Sequence, residues 1–179
     1  MKKNRLKIYS LLFAFAVGAI FFYQKTSMKQ HYPEQKVKSY QTALSVGIQT
    51  ILTKVPIEEM VDDKALSKDQ LEQLIASTDQ IYTAYTELKA IAIAYQQYEE
   101  DEETADKIMA NSMSAFTKMQ KEREKRIPIS NEQLDDIKSL YRFYEEIGQL
   151  DIHTLELEVW LQKAAYISEQ YASLAEWNW

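Results

Sequence analysis

The chain has 179 residues, 46% of them hydrophobic, with a formal net charge of −6, no cysteine, three glycines and three prolines. Without cysteine there is no disulfide, thiolate-metal or cysteine-nucleophile chemistry, and glycines only at 18, 47 and 148 cannot build a loop that cradles phosphate. So few helix breakers among abundant Ala, Leu, Glu, Gln and Lys predict an all-α protein.

The first seven positions form a basic leader, with Lys2, Lys3, Arg5 and Lys7. Directly behind it, residues 8–23 carry no charge and are apolar almost throughout, with Ile8, Leu11, Leu12, Phe13, Phe15, Val17, Ile20, Phe21, Phe22 and Tyr23. The small-residue pairs at which a signal peptidase would cut, Ala14 with Ala16 and Ala16 with Gly18, fall inside this run and leave five apolar residues behind them. Retention as an uncleaved transmembrane signal-anchor is therefore the expectation. Sixteen residues span about 24 Å of a ~30 Å hydrocarbon core, a deficit that Lys7 and Lys25 can offset by laying their stems along the helix. More basic residues precede the run than follow it, which sets the N-terminus in the cytoplasm and the rest of the chain outside. Lipid is then the first expected partner.

Residues 24–33 read as a polar stalk ending at Tyr32-Pro33, and residues 34–179 as one extracytoplasmic domain. Six of the 21 basic residues and none of the 27 acidic ones lie in positions 1–29, so the remainder holds 15 against 27, a formal −12. Such a surface repels nucleic-acid phosphates, and no nucleic-acid partner is expected. Lys118, Lys121, Arg123, Lys125 and Arg126 are interleaved with Glu122 and Glu124 and read as a solvated helix face.

Within the domain, apolar residues at steps of three and four predict an antiparallel bundle of about five helices, over about 35–54, 68–98, 104–126, 131–148 and 153–177. The first stripe is Val37, Tyr40, Leu44, Ile48, Ile51 and Val55, with Gly47 beside it read as tolerated in preference to marking the close approach of another helix. Pro56 ends that helix and can open a short one, with Glu58 and Glu59 at its positive end. Ser67 with Gln70 makes a capping box for the best-formed stripe, Leu71, Leu74, Thr78, Ile81, Tyr85, Leu88, Ala92 and Tyr95. The acidic run 99–103 suggests a reversal, but without Gly, Pro or Asn to mark it a single helix through Arg126 stays open. Ile127-Pro128-Ile129 breaks the helix, Ser130 with Gln133 caps the next, and Gly148 closes it. The last stripe runs through Leu157, Trp160, Ala164, Ile167, Tyr171 and Leu174.

Catalytic constellations are missing from the pattern. The two histidines, His31 and His153, have no His or Cys at ligand spacing, and five consecutive carboxylates on a helix point around its axis instead of converging on an ion. A non-enzymatic protein without metal or cofactor is expected. Its candidate contact surface is Tyr82, Tyr85, Met109, Met113, Tyr144, Trp177 and Trp179. These residues serve an interaction or scaffold role towards a protein partner at the membrane, with self-association allowed. The rival use is a cavity for an apolar molecule, as in a holdase, and core filling competes with both.

Overall fold

The computed structural model of the chain describes residues 33–95, 98, 104–120 and 125–177. Six α-helices account for most of them: α1 Glu34–Lys54, α2 Ile57–Asp63, α3 Lys68–Ala94, α4 Thr104–Met119, α5 Asn131–Gln149 and α6 Leu157–Gln170. A 3-10 turn, Ala172–Glu176, follows α6. The protein is an all-α bundle with one hydrophobic core. Among the described residues no helix is long and apolar enough to cross a membrane, and the expected anchor 8–23 lies outside them.

The most extensive helix contact is between α1 and α3. Its pairs fix the direction: Lys36 meets Glu87, and Gln80 Nε2 donates to the Ala43 carbonyl at 2.7 Å, so the numbers fall on α3 as they rise on α1. The helices are antiparallel. Gly47 lies where they come closest: a Cβ there would sit 2.7 Å from Ile81 Cγ1 and 3.2 Å from the Ser77 carbonyl oxygen. The glycine is thus required by close approach and is not merely tolerated. α5 also runs antiparallel to α1, with Tyr141 Oη donating to the Val55 carbonyl at 2.6 Å and Gly148 beside Ile48.

Both capping boxes form. The Ser67 hydroxyl accepts from Gln70 N while the Gln70 side chain accepts from Ser67 N, and Ser130 with Gln133 repeats the arrangement. Each satisfies two N–H groups that the first helical turn leaves without an intrahelical partner.

Elsewhere the structure corrects the sequence reading. Of the two readings of residues 68–126 the reversal is the one that forms, and only the helix end moves: α3 stops at Ala94 and not at 98, Tyr98 is not helical, and α4 starts at Thr104. Lys89, almost completely buried, pairs with Asp106 across this break and fastens α3 to α4. Arg126 is not the end of a helix either. It opens a three-residue strand, β2 Arg126–Pro128, that pairs antiparallel with β1 Ala65–Ser67, with Leu66 opposite Ile127. Lys64, in the left-handed region at φ 45°, turns the chain from α2 into β1. Arg126 also bonds the Asp63 carboxylate at 2.5 Å. The last helix starts at Leu157 and not at His153, because the Asp151 carboxylate accepts from the backbone N of His153 and Thr154 and holds a turn there.

Candidate functional site

The candidate surface from the sequence does not assemble. Tyr85, Met109 and Tyr144 are each 0% exposed and belong to the core. Tyr85 packs its ring 6.2 Å from that of Trp160. Tyr144 Oη lies 3.2 Å from Ser112 Oγ, and burial raises the phenol's pKa well above its ordinary value. Tyr82 and Met113 are half-buried. Trp177 folds back over the bundle end, edge-on to Phe116, with its indole N–H on the Asp136 carboxylate. Trp179 lies outside the described residues, as do the anchor residues 8–23 and the acidic run 99–103. For Tyr85, Met109, Tyr144 and Trp177, core filling is what the packing shows.

A different place is open. Leu52 from α1, Ile57 and Glu58 from α2, and Lys138, Tyr141, Arg142 and Glu145 from α5 line a cleft of about 390 Å³. Its origin is local. Val55-Pro56 ends α1, and α2 starts against the middle of α5, so three segments meet at the cleft. Leu52 and Ile57 pack partly on the core and leave an apolar floor. Tyr141 stiffens it, since its hydroxyl holds the Val55 carbonyl that α1 leaves unbonded at its C-terminus. Burial, reinforced by the Glu58 carboxylate, keeps that phenol protonated far into alkaline solution.

The walls are charged. Positions 138, 141, 142 and 145 recur at helical spacing and form one stripe of α5. Lys138 Nζ is 3.3 Å from Asp135 Oδ1. Glu58, Arg142 and Glu145 make no hydrogen bond or ion pair with any described residue. The cleft therefore offers a free guanidinium, a second cation and two free carboxylates around an apolar floor. Nothing in it pairs a nucleophile with a base, and the arrangement suits recognition.

A second, smaller cavity of about 50 Å³ is lined by Leu44, Ser45, Ile48, Gln49, Ile147, Gly148, Leu150, Ile152 and Trp160. The Trp160 indole N–H is buried without an acceptor among the described residues. Among those residues no group of three His, Asp or Glu side chains converges on a point that could hold a metal ion. His153 is exposed. The neighbouring Asp151 carboxyl is held below its ordinary pKa, mainly by hydrogen bonds from Thr154 and His153.

Sequence reasoning missed the cleft because its residues come from three segments, and each charge alone reads as ordinary surface. The available signal was Pro56, which must redirect the chain, together with the 138-142-145 stripe of exposed charges. The fold and site define a helical bundle with a charged surface cleft. Comparison with protein-family models, curated proteins and solved structures finds no match for this chain.

Proposed function

We propose that the chain is a non-catalytic interaction or scaffold subunit, tethered to a membrane by residues 8–23. Its bundle lies on the extracytoplasmic side and receives a segment of a partner protein in the cleft between α1, α2 and α5. The observation that carries this reading is the cleft itself: about 390 Å³ with an apolar floor and three charged side chains that make no hydrogen bond or ion pair among the described residues. Side chains that stabilise the bundle are already engaged, so free charges beside apolar area are available to a partner. Tethering confines both molecules to one layer and raises their effective concentration, which allows a modest cleft to suffice. The rival cavity for an apolar molecule is less well supported, because Tyr85, Met109 and Tyr144, which would line it, are packed into the core.

The test is site-specific photocrosslinking in intact cells. A photoreactive residue at Lys138, on the cleft rim, is expected to capture a discrete partner, and one at Tyr166, 72% exposed on α6, is not. Deleting residues 1–30 is expected to abolish the adduct by releasing the tether. Identical adduct patterns from positions 138 and 166 would count against the cleft as the docking site.

A further inference from the structure

The smaller opening, a pit of about 50 Å³, lies where α1, the end of α5, the connection through Ile152 and α6 come together. Gln49 and Gly148 are exposed and Ser45 is half-buried, so the mouth is polar and reaches solvent, whereas Ile48 and Trp160 are buried. Gln41 Nε2 donates to the Ile152 carbonyl at 2.7 Å and ties the connection to α1. No charged side chain among the described residues lines the pit. Trp160 is 0% exposed, and its indole N–H, which can only donate, has no acceptor among those residues. Folded proteins meet nearly all such buried donors with a protein group or an ordered water, because leaving one unsatisfied is destabilising.

We propose that the pit is a hydration site, in which an ordered water accepts the bond from Trp160 Nε1–H and donates its own protons to the polar mouth. The room suffices, since a water needs about 10–15 Å³ of such space. A buried water also needs at least two polar partners. Besides the indole, the pit offers the Ser45 hydroxyl, the Gln49 amide and Gly148, which stands in the last turn of α5, where backbone carbonyls lack intrahelical partners. The Ile147 carbonyl beside it is already taken by Leu150 N at 3.1 Å. Size and charge select water over other occupants. The pit is far below the roughly 300–1,000 Å³ of a small-molecule site, and without a counter-charge it cannot offset the desolvation of an ion. Bridging in this way, the water links α6 to α1 and to the end of α5.

The test is nuclear magnetic resonance on the purified full chain, isotope-labelled on its indole nitrogens. The Trp160 signal is assigned by its loss in Trp160→Phe, or through its ring contact with Tyr85 if that variant does not fold. A held water gives the indole proton a cross-peak that changes sign between NOESY and ROESY spectra, whereas proton exchange with bulk water gives the same sign in both. The sign change is expected at Trp160. Ser45→Leu puts a larger apolar side chain into the half-buried mouth and should abolish that cross-peak, with helix content unchanged by circular dichroism, while Ser45→Thr keeps a hydroxyl and should retain it. No sign-changing cross-peak in the parent, or its persistence in a folded Ser45→Leu protein, would overturn the proposal. Should Ser45→Leu not fold, the parent spectrum alone decides. The pit shares no lining residue with the charged cleft, so either result leaves the docking reading to its own test.

Discussion

Replacing Gly47 by Ala tests the tightest contact in the bundle. Two effects of opposite sign meet there. Alanine favours the helix over glycine by about 1 kcal/mol, because glycine loses more backbone freedom. Against that, the new Cβ would lie 2.7 Å from Ile81 Cγ1 and 3.2 Å from the Ser77 carbonyl oxygen. Ile81 is 0% exposed and cannot retreat, and Ser77 contributes backbone that is fixed within α3. Overpacking of this kind costs about 1–3 kcal/mol, so the net expectation is a loss of about 1 kcal/mol and a fall of about 3 °C in Tm. Gly148→Ala is the internal control, with the same gain in helix preference. Its Cβ would meet only Ile48 Cγ2, at 3.0 Å, beside the 50 Å³ cavity into which Ile48 can shift. Its Tm should hold or rise slightly. Thermal unfolding followed by far-ultraviolet circular dichroism reads both. A Gly47→Ala protein that melts at or above the parent would refute the close-approach argument, since the propensity gain would then have met no steric opposition.

Asp106→Ala, which removes the carboxylate that pairs with the nearly buried Lys89 ammonium, should lower stability in chemical denaturation, while pairing Lys89→Met with Asp106→Leu should recover most of the loss. Ser67→Ala and Ser130→Ala each remove a capping box and should each cost about 1 kcal/mol by the same measurement. Tyr171 is raised from 10.0 to about 12 by burial and by its bond to the Glu146 carboxylate, and Tyr141 and Tyr144 are raised further. A folded-state pKa above the unfolded one favours the neutral phenol in the native state. This contribution is whole below pH 10 and is lost as the pH passes through about 12. Alkaline titration should therefore show a part of the tyrosinate absorbance that appears only together with loss of helix, and full ionisation at pH 10 with the helix intact would contradict the burial. Trp177→Ala should lower stability by about 3 kcal/mol through lost packing on Phe116 and a lost bond to Asp136, again read by denaturant midpoint.

What the sequence revealed of the fold was what short-range physics controls. The stripe from Leu71 to Ala92 and the two serine caps lie within a few residues of their causes, and they appear where the spacing put them. The β1–β2 pair was invisible because it joins residues about sixty positions apart through three residues each, too few for a period to show. The break between α3 and α4 carries no Gly, Pro or Asn, and its fastening by Lys89 and Asp106 is again a contact between elements. Whether the aromatic and thioether side chains are contact surface or core filling stayed open in the sequence for a related reason. A helical stripe says that Tyr85, Met109 and Tyr144 face something, and only the packing of α3, α4 and α5 decides that the something is the interior.

The same packing explains why the proposed recognition is assigned to charged residues and not to the aromatic ones. Tyr85 and Tyr144 cannot change partners without opening the core, so any substitution there alters stability before it alters a surface. Glu58, Arg142 and Glu145 are in the opposite position, since no hydrogen bond or ion pair among the described residues passes through them. Tyr141 stands between the two groups: its ring forms cleft floor, while its hydroxyl holds the end of α1 through the Val55 carbonyl. Substitutions at 58, 142 and 145 should therefore move binding at constant stability, whereas Tyr141→Phe should lower stability by leaving that carbonyl without its donor. A cleft whose floor is structural and whose rim is free keeps its shape while its charge specificity changes, which is the division of labour that a docking surface requires.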